Sequence, residues 1–193
     1  MLNSNESNKN IFAQKLPLMM AFLSVVAVIV GIDLWTKYIA VEKLVYEGNS
    51  YAVIPDLFSF TLRYNHGAAF SFLSGAGGWQ RWFFAGIAAV MSVVLTVWLS
   101  RIVLTKKIES VAIVLILAGA LGNLYDRMTL GYVVDFLHAY YRDYHFPAFN
   151  IADCSITCGA ALLIFDSLFL NKNPNKNPNK NSRQDTQEDV KNG

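Results

Sequence analysis

Three aspartates lie at the edges of apolar segments rather than in a solvated run of charges: Asp126, Asp135 and Asp153. A carboxylate in such a place is costly unless it is paired, hydrogen-bonded or used in chemistry. Two asparagines, Asn123 and Asn150, lie close to them in the sequence. This combination predicts a polar site at the mouth of a bundle of apolar helices.

Asp135 and Asp153 support the most specific chemical hypothesis. They are eighteen residues apart, and if both project into a cavity between helices, they can hydrolyse a bond without a nucleophilic side chain. Two carboxylates a few ångströms apart cannot both ionise, so one keeps its proton while the other acts as the base. The base takes a proton from an attacking water, and the acid protonates the departing group. The spacing permits this pairing but does not require it.

The same residues also have purely structural interpretations. Asn150 followed by Asp153 matches a helix N-cap with an acidic residue at the third helical position, which would satisfy free backbone N–H groups. Asp126 and Arg127 can form an interfacial ion pair that closes the third apolar helix. Asp135 can be a loop residue among buried apolar neighbours, an interpretation that we favour less than a functional one.

Other candidate groups have less specific patterns. Asp33 and Lys37 have i,i+4 spacing with the acid first, the favourable order on a helix, so we interpret them as a structural ion pair. His66, His138 and His145 are scattered and lack the spacing of metal ligands. We therefore expect no metal site. No serine or cysteine has a base near it in the sequence that would indicate a nucleophile.

Composition indicates a membrane protein. Of the 193 residues, 54% are hydrophobic and only 16% are charged, whereas a soluble domain carries about 25% charged residues. The charges collect in the termini and loops and leave long apolar runs between them, as in polytopic membrane proteins. The net charge of +2 gives no indication of nucleic acid binding. We interpret Cys154 and Cys158 as small buried residues.

Four apolar runs are long enough to span a membrane as helices: 16–32, 82–100, 108–125 and 151–170. Lysines followed by an apolar run can also mark a cleavable signal peptide. No small-x-small cleavage site follows the first run, however, and more apolar runs come later. We therefore expect an uncleaved first membrane span.

The segments outside these spans differ in character. Within the outer segment, about 40–80, residues 57–64 alternate between apolar and polar types, which predicts a half-buried strand with 51–54 as its partner. The second outer segment, about 126–150, is expected to be a loop. The tail, 171–193, repeats Asn-Lys-Asn-Pro and is expected to be disordered.

Charge distribution predicts the orientation of the chain. Ten of the sixteen lysines and arginines lie in the N-terminal segment 1–15, the 100–107 loop and the tail. The positive-inside rule therefore places both termini in the cytoplasm. It follows that the two outer segments, and with them all three aspartates of the predicted site, lie at the outer face of the membrane.

These motifs resemble those of one family. Five motifs occur in order along the chain: DLWTK at 33–37, NHGAAF at 65–70, GALGNLYDR at 119–127, GYVVDF at 131–136 and FNIAD at 149–153. In order and spacing they resemble the motifs of bacterial lipoprotein signal peptidase, also called signal peptidase II. The resemblance covers about 16–170, and it departs at Ala118, where family members often carry a glycine.

The resemblance implies an intramembrane aspartyl endopeptidase of the bacterial cytoplasmic (inner) membrane. It would remove signal peptides from diacylglyceryl-modified prolipoproteins by cutting before the lipidated cysteine. The implied catalytic pair is Asp135 and Asp153. The implied residues that line, orient or support the site are Asn65, Asn123, Asp126, Arg127, Asn150, Asp33 and Lys37. Members of the family need no metal or organic cofactor and are inhibited by globomycin-type cyclic peptides.

The fold class predicted from these observations is an all-α polytopic membrane protein. It has four transmembrane helices with a small extracytoplasmic β element and a disordered C-terminal tail. The rival hypothesis is a non-enzymatic bundle, such as a transporter, since acids inside membrane helices often mark ion paths. The acids of this chain cluster at the ends of the spans, which favours the peptidase. Asp166 is the exception, and it lies near the cytoplasmic edge of its span.

Overall fold

The computed structural model describes residues 4–67 and 78–170, with side chains from residue 11 onward. The helices and strands, in chain order, are α1 Ser4–Leu44, β1 Ser50–Ile54, β2 Phe58–Asn65, α2 Trp79–Ile102, α3 Lys107–Thr129, β3 Val133–Tyr141, β4 Tyr144–His145 and α4 Ile151–Phe165, which continues as a π-helical turn over Asp166–Leu170. The tail predicted to be disordered, 171–193, lies outside the described residues. So does the second half of the NHGAAF motif, residues 68–70.

Within residues 4–67 and 78–170, four helices are long and apolar enough to cross a membrane, which confirms the predicted fold class. The first helix is longer than its apolar run. It continues through Asp33 and Lys37 because these two side chains pair with each other and need no break in the helix. The 41 residues of α1 span about 60 Å, roughly twice the thickness of the hydrocarbon core. The helix therefore extends beyond the membrane.

Helix α3 is the centre of the bundle and packs against α1, α2 and α4. Half of its apolar window is buried inside the protein, against 11–17% for the other three spans. Its side of the core includes Ile113, Val114 and Leu117, which meet Val26 of α1 and Leu99 of α2. Because α3 contacts every other span, the polar residues near its C-terminal end are placed between the remaining helices.

Glycine allows α3 and α4 to approach closely. A Cβ at Gly119 would collide with the backbone oxygen of Ala152, and a Cβ at Gly159 would lie 2.6 Å from the backbone oxygen of Ala112. Backbone atoms cannot move aside as a flexible side chain can. The close contact at Gly119 also fixes the first turn of α4, where Asp153 lies.

Substituting Gly119→Ala is therefore expected to lower the free energy of unfolding by about 1–3 kcal/mol, since the added methyl forces the two helices apart. Thermal unfolding in detergent measures the loss. Gly86→Ala is the matched control, because nothing lies within 4 Å of a Cβ at Gly86 on α2. An equal loss of stability in both variants would show that the close approach at Gly119 is not the cause.

The four strands form one antiparallel sheet in the order β1-β2-β3-β4. Strands β1 and β2 confirm the two strands predicted for the first outer segment. Strand β3 was not predicted, because residues 133–141 were assigned to an outer loop. A short apolar run such as Val133–Phe136 does not reveal its conformation by periodicity, and its pairing partner is distant in sequence. In the sheet, Asp135 lies opposite Arg63 of β2.

The predicted alternation along β2 describes its burial only in part. Leu62 is fully buried as expected, in a cluster with Val134 and Phe136. The polar residues Ser59 and Thr61 are buried too, and their hydroxyl groups are 3.0 Å apart. Internal hydrogen bonds of this kind make burial of a polar side chain tolerable.

Candidate functional site

A buried ionic cluster lies where α1 meets α3. The ammonium of Lys37 is 2.7 Å from Asp33 Oδ2 and 2.9 Å from Asp126 Oδ2, and all three side chains are at most 3% exposed. The predicted pairing of Asp33 with Lys37 is confirmed. The alternative of an ion pair between Asp126 and Arg127 is wrong, because Asp126 forms its ion pair with the ammonium of Lys37.

The cluster holds the two chain segments that carry the proposed catalytic acids. Asp33 Oδ1 accepts a hydrogen bond of 2.8 Å from the backbone N–H of Ala152, at the start of α4. Asp126 Oδ2 accepts one of 3.1 Å from the backbone N–H of Val134, near the start of β3. Asp153 and Asp135 each follow one of these anchored N–H groups by one residue. The cluster therefore fixes both backbones directly beside the site.

Asp153 lies in the first turn of α4 and forms a capping box with Asn150. Its backbone N–H donates to Asn150 Oδ1 at 2.9 Å, and its Oδ2 accepts from the backbone N–H of Asn150 at 3.2 Å. The structural interpretation of this pair as a helix cap is thus confirmed. Asp153 Oδ1 also accepts a hydrogen bond of 2.7 Å from the side-chain amide of Asn123. The carboxylate is half-buried, so it is held in place and still accessible.

Asp135 is more deeply buried than Asp153, with 2% of its surface exposed. Its carboxyl accepts hydrogen bonds from the side-chain amides of Asn150, at 2.6 Å, and Asn65, at 3.1 Å. Burial, followed by the nearby charge of Asp153, raises the pKa of Asp135 to about 7, although the two amide donors act in the opposite direction. Near neutral pH, Asp135 therefore keeps a proton for much of the time.

Asn150 connects the two acids. Its side-chain amide donates to Asp135, while its backbone N–H donates to Asp153. Asn123 adds a second connection, since its side-chain oxygen accepts from Asn150 at 3.3 Å and from Lys37 at 3.1 Å. The result is one continuous hydrogen-bonded network that joins both acids to the ionic cluster. Such a network can hold a protonated and an ionised carboxyl side by side.

Arg127 lies beside this network rather than inside the ionic cluster. Its Nη1 donates to the backbone oxygen of Asn123 at 3.1 Å, and the guanidinium lies 5.7 Å from the centre of the Phe84 ring. It interacts electrostatically with Asp153, Asp135 and, most weakly of the three, Asp126. A cation in this position offsets part of the negative charge of the two acids.

Sequence reasoning did not identify Tyr132. Its ring lies 4.5 Å from that of Tyr64 and 5.4 Å from that of His66, measured between centroids, so the three rings form an aromatic group next to Asn65. Its place within the GYVVDF motif was the available signal. The pKa of Tyr132 is raised, first by burial and then by electrostatic interaction with Tyr64 and with the carboxylates of Asp126 and Glu47. In the described part of the chain, no three His, Cys, Asp or Glu residues are grouped so that they could hold a metal ion.

Comparisons with known proteins identify the family of the chain. The family model described as signal peptidase (SPase) II matches residues 25–169. A lipoprotein signal peptidase of Acinetobacter baylyi is 55% identical over 150 residues, covering 78% of this chain and 82% of the relative. One from Pseudoalteromonas translucida is 48% identical over 162 residues, covering 84% and 95%. A solved bacterial membrane enzyme structure, determined by the in meso method at 2.3 Å resolution, superposes with a TM-score of 0.64 at 34% identity, covering 79% of this chain and 93% of that chain.

Proposed function

The chain belongs to the signal peptidase II family of lipoprotein signal peptidases, and from this premise we propose that Asp135 and Asp153 are its catalytic pair. In this proposal the enzyme removes signal peptides from diacylglyceryl-modified prolipoproteins and cuts just before the lipidated cysteine. The observation that carries the proposal is the bridging position of Asn150, which donates one hydrogen bond to each acid. No metal or organic cofactor takes part in the proposed reaction.

The two acids have different roles in the proposed mechanism. Asp153, which is half-buried and accessible, is the base that removes a proton from water as the water oxygen attacks the scissile carbonyl carbon. Asp135, which holds the proton, donates it to the carbonyl oxygen and so stabilises the tetrahedral intermediate. When this intermediate collapses, the C–N bond breaks and the proton taken up by Asp153 passes to the departing amine. The carbonyl oxygen then returns its proton to Asp135, which restores the starting state.

The surrounding residues act by position and charge. Asn65 and Asn150 hold the Asp135 carboxyl from two sides, and Asn123 orients Asp153. Asp33 and Asp126 hold the backbone beside each acid, and Lys37 joins these two carboxylates through its ammonium. Arg127 balances charge as the pair gains and loses its proton.

The proposed substrate suits a site at a membrane surface. In our proposal both termini are cytoplasmic and the site lies near the outer face. There the acyl chains of the substrate insert among the membrane lipids and anchor the cysteine. A peptide bond inside a helix must be unwound before water can attack it, and unwound backbone is tolerated at membrane depth only in a polar cavity. We expect globomycin-type cyclic peptides to inhibit the enzyme by occupying this cavity.

Cleavage assays with paired substrates test the proposed specificity. The protein, purified and reconstituted in nanodiscs, is expected to cut a prolipoprotein whose cysteine carries diacylglycerol. It should leave the same prolipoprotein with an unmodified cysteine uncut, and mass spectrometry should find the lipidated cysteine at the new N-terminus. Equal cleavage of both substrates, or a cut elsewhere in the chain, would contradict the proposal.

A further inference from the structure

A small polar pocket lies on the sheet, against the segment that leads from β4 to α4. Its walls are formed by Thr61 and Arg63 of β2, His138 of β3, His145 of β4 and residues 146–148. Its volume is about 260 Å³, below the range of roughly 300–1,000 Å³ for pockets that hold whole small molecules. A space of this size suits a single side chain. We call this cavity the β-sheet pocket.

The sheet brings together two histidines that no spacing in the sequence connects. His138 Nε2 lies 3.3 Å from His145 Nδ1, and His138 Nδ1 lies 3.3 Å from the hydroxyl of Ser59. Burial, followed by the charges of His145 and Arg63, lowers the pKa of His138, so its ring is neutral at pH 7. A neutral imidazole has one N–H donor and one acceptor nitrogen. Both nitrogens of His138 are thus used within the sheet, whereas His145 Nε2 has no partner in the described part of the chain.

Arg63 supplies the positive charge of the β-sheet pocket. It is exposed, and its guanidinium forms neither an ion pair nor a hydrogen bond with any residue of 11–67 or 78–170. Glu47, whose carboxylate lies beside the next residue of β2, accepts a hydrogen bond of 3.1 Å from the backbone N–H of Tyr64 instead. A guanidinium offers five N–H donors and no acceptor, and the described lining contains no acidic residue. The pocket therefore suits an anionic group with acceptor oxygens, such as a carboxylate.

The β-sheet pocket adjoins the segments that carry the proposed catalytic acids. Arg63 of β2 is the pairing partner of Asp135 on β3, and the Cα atoms of such partners lie about 4.5–5.5 Å apart. Ala148 of the pocket wall comes two residues before Asn150, which donates to both acids. An extended chain rises about 3.3 Å per residue, so a substrate held at the acids reaches the pocket within a few residues.

The location of the sheet indicates which part of a substrate can enter the pocket. In the proposed function the signal peptide lies in the membrane, and the chain after the cysteine leaves on the outer side. The strands lie outside the four membrane spans. The chain after the cysteine is therefore the part of the substrate that can follow the sheet. A side chain of this segment has a high effective concentration at the pocket, because its backbone is already held at the acids.

We propose that the β-sheet pocket binds the carboxylate of an acidic side chain within about the first four residues after the substrate cysteine. This inference rests on the proposed function, since that function places the cysteine next to the scissile bond. Arg63 pairs with the carboxylate. His138 accepts from Ser59 and donates to His145, which leaves His145 with an N–H at Nε2 that donates to the same carboxylate. A phosphate of a membrane lipid has a matching charge but no linkage to the chain held at the acids.

Paired substrates test the inference. Each pair consists of two diacylglyceryl prolipoproteins that carry Asp or Asn at one of the first four positions after the cysteine and no other charge there. Wild-type enzyme in nanodiscs is expected to show, for at least one pair, a KM about fivefold lower for the Asp substrate. Arg63→Gln should raise KM for that Asp substrate to the value of its Asn partner, and KM for the Asn partner should not change.

A matched control and a charge reversal separate the pocket from the general charge of the protein surface. Arg142→Gln removes another exposed arginine, at the turn between β3 and β4 and outside the pocket lining, and should keep the wild-type preference. Arg63→Glu should reverse the preference, so that a substrate with Lys at the same position has a lower KM than the Asp substrate. His145→Phe removes the second donor and should weaken the preference for Asp without abolishing it.

Several outcomes would overturn the inference. Equal KM values within every pair for wild-type enzyme would do so, as would a preference for Asp that persists in Arg63→Gln. Loss of the preference in Arg142→Gln as well would assign it to surface charge, and an unchanged preference in His145→Phe would remove His145 from the site. If Arg63→Gln loses co-purified anionic phospholipid but keeps the preference for Asp, the pocket binds a membrane phosphate. Failure of the proposed function looks different, because wild-type enzyme would then cut none of the substrates.

Discussion

Asp135→Asn and Asp153→Asn are each expected to reduce cleavage of a diacylglyceryl prolipoprotein by about 10²–10⁴-fold or more, the usual contribution of general acid–base catalysis. Asparagine keeps the size and much of the hydrogen bonding of aspartate, but it cannot give up and regain a proton. Single-turnover cleavage by each purified variant measures the effect, because it separates the chemical step from product release.

Asp143→Asn is the control for these two variants. Asp143 lies exposed in the same outer segment, so its substitution should leave the cleavage rate unchanged. Full activity in either Asp135→Asn or Asp153→Asn, in protein that remains folded, would refute the assignment of the catalytic pair. Asp126→Asn should reduce stability more than the rate of the chemical step, and if it alone abolished turnover, the wrong acid would have been assigned.

The same substitution at Asp135 should change how stability depends on pH. Because the pKa of Asp135 in the folded protein, about 7, lies above its usual value of 3.8, its contribution to stability is fully present below pH ~4. That contribution is lost as the pH rises through 7. At pH 8 the wild-type protein therefore bears the cost of a buried carboxylate, up to about 4 kcal/mol.

Asp135→Asn removes this cost and should unfold at a higher temperature than wild type at pH 8. The difference should shrink as the pH falls towards 5, and unfolding temperatures measured across this range check it. An identical pH dependence in both proteins would contradict the raised pKa. A variant that is more stable yet inactive would show that the catalytic acid is kept buried at the expense of stability.

Lys37→Met is expected to have the largest effect on stability, a loss of about 3–5 kcal/mol. Methionine has a similar length but no charge, so it leaves Asp33 and Asp126 buried without the ammonium that lies between them. Cleavage should fall as well, because the backbone beside each proposed catalytic acid loses its anchor. The unfolding temperature and the amount of folded protein recovered from membranes measure the loss.

A matched control and a rescue separate charge pairing from other causes. Lys106→Met removes the half-exposed lysine of an ion pair with the buried carboxylate of Glu109, and it should cost less stability than Lys37→Met, since it leaves one buried carboxylate without its lysine instead of two. The combined variant Asp33→Asn, Lys37→Met, Asp126→Asn removes all three charges and should recover part of the stability lost in Lys37→Met. Wild-type stability in Lys37→Met alone would show that the buried cluster does not hold the site together.

The sequence revealed the features that depend on near neighbours in the chain. The apolar runs indicated the four membrane spans. The i,i+4 spacing of Asp33 and Lys37 indicated their ion pair, and the three-residue spacing of Asn150 and Asp153 indicated a helix cap. In each case the interacting groups lie within one helical turn, so local geometry alone brings them together.

The features that the sequence did not predict are contacts between distant parts of the chain. Strand β3 exists because it pairs with β2, and Asp33 reaches the backbone of Ala152 across 119 residues. The partner of Asp126 is likewise Lys37 of the first helix and not its neighbour Arg127. Packing of the complete bundle creates such contacts, so no local pattern in the sequence encodes them. Asp135 and Asp153 also lie in different elements, so the proposal that they act as a pair depended on the resemblance to the family.

The division of the network among the spans has a consequence for biosynthesis. The first span carries its own ion pair, so it can enter the membrane with its two buried charges already neutralised by each other. The fourth span, α4, carries Asp153, and Asn150 is the residue immediately before this helix. A nascent chain whose fourth helix has not yet been inserted therefore has only one acid of the proposed pair. Under this assignment, translation must reach the final helix before the protein can cut any neighbour in the membrane.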